Sequence, residues 1–189
     1  MHYATPQTVC VRDEEGVMAF NREDLLRYSG LGHLIASALV LRLFQEAFAR
    51  LSPQEPPMRT DIRVLSAFPG LGVRDHVELV TRAITDGRFV LDTDAGPKEA
   101  PRSAIGGRMY FEVAVKDRAV SFVLNPEIFD EHWCEQVARF QKGQNCTREE
   151  HAQYVAYKYQ FVGQVLTRDD VFAKVEEIDA TALIERTTR

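Results

Sequence analysis

Met109-Tyr110-Phe111-Glu112-Val113-Ala114-Val115-Lys116-Asp117-Arg118-Ala119-Val120-Ser121-Phe122-Val123-Leu124 reads as two strands joined by a tight polar turn. β-Branched and aromatic residues fill both halves, and Lys116-Asp117-Arg118 supplies the turn. A hairpin is antiparallel by construction, so the sheet that holds it is not a purely parallel one. Upstream, Asp61 to Phe68 alternates like a strand. Val73, Val77, Val80 and Ile84 then recur at helical spacing, and Asp86-Gly87 turns the chain into a strand over Arg88 to Asp92. Thr93 to Gly107 is polar, rich in Gly and Pro, and reads as an exposed loop.

Nearer the start, Thr8 to Val11 and Gly16 to Phe20 suggest a short strand pair around Asp13-Glu14-Glu15. Asn21 suits a helix N-cap, with Glu23 and Asp24 placed where the helix dipole favours negative charge. That helix should stop at Ser29-Gly30-Leu31-Gly32, and a long one follows from about His33 to Leu51. The apolar residues of the long helix run round most of its circumference, so it must be covered on more than one side. After the hairpin, Asn125-Pro126-Glu127 predicts a helix running to about Lys142 and stopping at Gly143. Thr147-Arg148-Glu149-Glu150 is a capping box that opens another. The tail from Val171 to Ile178 matches neither template well.

Strands and helices therefore do not alternate strictly. The fold class expected is α+β: a mostly antiparallel sheet packed against a long buried helix, with extra C-terminal helices. The 189 residues fit a single domain, 1–189, with a core to about residue 125 and a helical C-terminal extension over about 126–189.

Composition narrows the function classes. The hydrophobic share of 45% and charged share of 27% are those of a globular protein with a real core. The formal net charge is −5, and Arg and Lys are interleaved with Asp and Glu, so no basic stripe offers itself to nucleic acid. The most apolar run, Leu34 to Phe44, is interrupted by Arg42 and too short to span a bilayer. With no basic, apolar leader at Met1 to Pro6, a cytoplasmic location is expected. The three cysteines, Cys10, Cys134 and Cys146, are odd in number and widely spaced, and read as reduced thiols.

Candidate chemistry centres on two helix beginnings. His33 follows Gly30-Leu31-Gly32 at the mouth of the long helix, where an imidazole can bind metal or move a proton; the plain alternative is a histidine bonded to a local carbonyl. Gly70-Leu71-Gly72 sits between a strand and a helix, yet the third glycine of a dinucleotide fingerprint would fall at Asp75, whose carboxylate would repel a pyrophosphate. Asp75 and His76 are neighbours on that helix and project about 100° apart. His132, Trp133, Cys134 and His151 read as structural or surface positions. The aromatics Tyr154, Tyr157, Tyr159 and Phe161 read as packing against the body or a partner protomer rather than as a ligand box.

Taken in order, three segments resemble the formylmethanofuran dehydrogenase E-subunit-like family: Tyr28-Ser29-Gly30-Leu31-Gly32-His33-Leu34 with Ala38 to Leu41, then Gly72-Val73-Arg74-Asp75 with Leu79 to Ala83, then Gly107-Arg108 before Met109-Tyr110-Phe111. The resemblance covers roughly residues 22 to 125. It implies an α+β sheet-and-helix layer, usually paired as a homodimer, with His and Cys side chains gathered around a metal. The cysteine after the first histidine would fall near Ile35 or Ala36, and the second near Ala83, so this chain lacks both sulfurs.

These readings together lead us to expect a small-molecule or metal-binding protein or enzyme. Its ligand-binding residues would be His33, Asp75, His76, Arg74 and Arg108, with His33 and Asp75 as ligands of a divalent metal such as zinc. A non-catalytic accessory or interaction component that kept the fold and lost the metal site is the alternative. The apolar long helix and the aromatic C-terminal helix point to a homodimer; nucleic acid and membrane are not expected partners.

Overall fold

The computed structural model describes residues 8–140 and 145–187. The chain opens with β1 (Thr8–Arg12) and β2 (Val17–Asn21), an antiparallel pair separate from the main sheet. Helix α1 (Arg22–Ser29) begins with a full capping box: Asn21 Oδ1 accepts from the amides of Glu23 and Asp24, and the Asp24 carboxylate accepts from the amide of Asn21. A 3-10 turn over Leu31–His33 leads into α2 (Leu34–Leu51).

Helix α2 is the centre of the molecule. Leu34, Leu39, Val40, Leu41, Leu43 and Phe44 are all buried, and α1, β1 and the later elements α3, α5, β5 and β6, placed below, pack around it. A helix so apolar is stable in water only when enclosed in this way. Each of its fully buried large side chains contributes roughly 1.5–3 kcal/mol.

The main sheet has five strands in the order β4-β3-β5-β6-β7. Strand β3 (Ile62–Ser66) pairs antiparallel with β5 (Tyr110–Val115), which forms the expected hairpin with β6 (Arg118–Leu124). Its turn is two residues long, with Lys116 at φ 56, the left-handed geometry that matches the twist of the flanking strands. Strand β4 (Phe89–Leu91) runs parallel to β3 and is reached through α3 (Leu71–Thr81). The sheet is thus mixed, with one parallel pair at its edge. One face packs on α2 through Ile62, Val64, Phe111, Val113, Val120 and Phe122. The other carries a smaller cluster of Leu65, Tyr110, Ala114 and Ala119 beneath Leu183.

Three local expectations need correction. The helical spacing that included Ile84 overruns the real end of α3. The helix stops at Thr81 because Arg82 turns left-handed at φ 54, while Arg59 donates to the carbonyls of Leu79 and Val80 and Arg88 to that of Thr81. Asn125 opens only a single turn, not a helix. Its Oδ1 accepts from the amide of Glu127 and its Nδ2 donates to the carbonyl of Asp170. Helix α4 (Glu131–Arg139) starts afresh at Asp130, whose carboxylate caps the amide of Trp133. The predicted stop at Lys142 and Gly143 lies outside the described residues.

The third correction concerns the tail. Helix α5 (Arg148–Thr167) has the expected capping box between Thr147 and Glu150. Beyond it the chain is not simply helical: β7 (Phe172–Asp179) pairs antiparallel along β6 and completes the sheet, and α6 (Thr181–Thr187) packs on β3 and β4. The segment after residue 125 is woven into the core rather than appended to it.

The features that suggested a second copy are also accounted for inside one chain. Helix α2 is covered by its own neighbours. On α5, Tyr154 stacks on Phe140 at 4.3 Å, Tyr157 meets His132 at 5.6 Å and Phe161 meets Phe129 at 5.4 Å between ring centroids. Among the described residues, no helix is long and apolar enough to cross a membrane.

Because β7 closes the sheet, a chain ended after Arg168 is expected to lose cooperative unfolding. A urea titration followed by far-ultraviolet circular dichroism checks this, and an unchanged midpoint would show the tail to be an accessory.

Candidate functional site

A cavity of about 620 Å³ opens between the start of α2, the loop leading into α3, and the layer formed by α4 and α5. That size suits an organic molecule rather than a lone ion. Gly32, His33, Ile35, Ala36 and Leu39 line it from α2 and the turn before it, and Phe68, Gly70, Leu71, Gly72 and Val73 from the start of α3. Phe129, Trp133, Val137 and Phe140 close it from α4 and its flanking turns. His151, Tyr154 and Lys158 face it from α5, with Ile105, Met109 and Cys146 completing the lining.

The two glycine-flanked helix beginnings do meet here, and glycine is what lets them. A Cβ built on Gly72 would lie 2.5 Å from Nδ1 of His33, so the backbone of α3 packs directly on the imidazole. Any larger residue at 72 must displace that ring. His33 itself is half-buried at the end of its 3-10 turn and lies on the cavity wall.

The other expected site residues lie elsewhere. Val73, Val77 and Val80 define the buried face of α3, and His76 belongs to that face. It is fully buried, with Nε2 2.7 Å from the hydroxyl of Ser29. Burial holds its imidazole pKa down at about 4 from the usual 6.5, with the nearby His33 adding to the effect. It therefore acts as a neutral core residue joining α1 to α3. Asp75 is half-buried and Arg74 exposed; neither belongs to the cavity lining. Arg108 is committed to structure, its guanidinium donating to the carbonyls of Lys98 and Ala100 and holding the long loop against the sheet.

The donor set does not fit a zinc site. Among the described residues, no three His, Cys, Asp or Glu side chains gather closely enough to hold a metal ion, and zinc sites require at least three protein ligands. His33 and Asp75 have no third ligand among those residues, and Ile35 and Ala36, next along α2 from His33, are apolar wall.

Sequence reasoning missed the most unusual groups of the lining. Lys158 is only 8% exposed. Its Nζ donates to the carbonyl of Gly32 at 3.4 Å and sits 5.0 Å from the Tyr154 ring centroid. No carboxylate pairs with it among the described residues. Burial pushes its pKa down. Trp133 is 3% exposed, and its indole N–H is buried with no acceptor among the described residues. A signal for Lys158 was present: counting back three and four residues from the buried Phe161 and Val162 lands on it, so a lysine interrupts the apolar stripe of α5.

No family model matches the chain, and no curated protein matches it in sequence.

Two outcomes test this geometry. Between pH 6.5 and pH 4 the unfolded chain binds a proton at His76 that the folded chain refuses, so stability is full above this window and falls as pH drops through it. The loss attributable to His76 approaches about 3 kcal/mol. Urea midpoints of wild type and His76→Gln should therefore converge as the solution is acidified; parallel curves would show the histidine not to be buried neutral. Gly72→Ala should cost roughly 1–3 kcal/mol through overpacking against His33. A combined His33→Ala change should recover most of that loss in the same titration.

Proposed function

We propose that the chain is a small-molecule-binding protein whose ligand is organic and largely apolar, held in the cavity between α2 and the α4–α5 layer. The observation that carries this reading is the cavity itself. Its wall is predominantly aliphatic and aromatic, with a few polar groups set among them, the usual constitution of a site for small organic molecules. An accessory component that had lost its chemistry would have no need to keep such a space open, since filling it with side chains would gain stability.

The likeness to the formylmethanofuran dehydrogenase E-subunit-like family bears on one corner of the cavity. The family's metal-binding segment would correspond to the surroundings of His33, with Ile35 and Ala36 standing where a thiolate would be. That replacement favours contact with hydrocarbon over metal ligation. His33 remains the polar group at that corner, available to donate or accept one hydrogen bond from a ligand.

The test uses N-phenyl-1-naphthylamine, an uncharged apolar fluorophore. Wild-type protein should enhance its fluorescence saturably with one site per chain. Ala36→Phe and Val137→Trp, which fill the cavity from opposite walls, should each weaken binding by about tenfold or more. Circular dichroism verifies that both variants are folded. Absence of saturable binding to wild type, or equal binding to folded variants of both kinds, would overturn the proposal.

A further inference from the structure

The charge distribution of the lining names the class of ligand, and this step rests on the cavity being the binding site. Of 28 Asp and Glu residues in a chain of net charge −5, none contributes to the lining among the described residues. The groups that do are one lysine and two histidines, together with Trp133 and Tyr154. A site drawn without preference from such a sequence would be expected to include acids.

Lys158 is the group that demands explanation. An ammonium removed from water is costly unless an anion or several acceptors replace the lost hydration. Here its partners are one long hydrogen bond to the Gly32 carbonyl and the face of Tyr154. An ammonium has three donors, so at least part of its capacity is unspent. A buried cation with unmet hydrogen-bonding demand, on an apolar wall that carries no acid among the described residues, describes the complement of an acceptor anion.

We infer that the ligand is an amphipathic carboxylic acid, its hydrocarbon body lying against Ile35, Leu39, Phe129 and Val137 and its carboxylate received by Lys158. The Lys158 side chain reaches the cavity from α5 while its hydrogen bond to Gly32 ties it to the turn at His33, so the anion would bridge the helix layer and the α2 mouth. The carboxylate gains a charge-assisted hydrogen bond in a site of low polarity, where such bonds are stronger than in water.

The experiment compares decanoate with decanol, which share a chain and differ at the head group, as competitors of N-phenyl-1-naphthylamine at neutral pH. Decanoate should displace the fluorophore at a concentration about tenfold lower than decanol. In Lys158→Met that preference should vanish, decanoate then competing no better than decanol, while Lys158→Arg should retain most of it. Saturable fluorophore binding with no preference for decanoate, or a preference that survives Lys158→Met, overturns the carboxylate assignment and leaves the apolar cavity reading standing. Failure of wild type to bind both fluorophore and decanoate in titration calorimetry overturns both.

Discussion

The structure depends on enclosing one helix. Helix α2 is apolar almost all round, and water on any side of it would be unfavourable by several side chains' worth of exposed hydrocarbon. The sheet covers one side, α1 and α3 another, and α5 a third. The remaining elements are explained by that demand: β1 and β2 cover a flank of α2, and Gln45 donates to the carbonyl of Thr8 to hold them there. Near the first turns of α2 the enclosure is incomplete, and α4 and α5 stand off far enough to leave the cavity. The site is therefore a gap in the coat of the central helix.

Secondary structure was legible where the deciding signal is local. The hairpin of β5 and β6 and the caps at Asn21 and Thr147 are settled by residues within a few positions of one another, and all stand as expected. Strand β7 was not legible. A bulge between Val123 and Leu124 shifts the register, so Phe172 and Val175 both pack on the α2-side core although they are three apart in sequence. That spacing erases the alternation by which a strand is recognised. Phe172 meets Phe122 at 5.0 Å, a contact no local pattern announces.

The site was half legible for a related reason. Glycines at 30, 32, 70 and 72 marked two helix beginnings, and these meet through Gly72 and His33. Asp75 was singled out for its chemistry, although the phase of Val73, Val77 and Val80 already places His76 inward. Trp133 and Lys158 could not be assigned to the same space as His33, because the docking of α4 and α5 on α2 joins residues about a hundred or more positions apart. The guanidinium of Arg42 fixes that docking by donating to the carbonyls of Leu166 and Arg168 at the far end of α5.

This arrangement fastens α5 unevenly. Its buried residues, Lys158, Phe161, Val162 and Val165, all belong to its second half. The first half is attached through the half-buried aromatics Tyr154 and Tyr157, which meet Phe140 and His132, and the exposed pair of Arg139 with Glu150. Free energies of local opening follow buried contact, so they must be graded along this one helix. The loosely held half carries His151 and Tyr154, the cavity's outer wall, while the tightly held half begins at the lysine. Opening of α5 therefore costs least over the half that carries His151 and Tyr154 and most over the half held by Arg42.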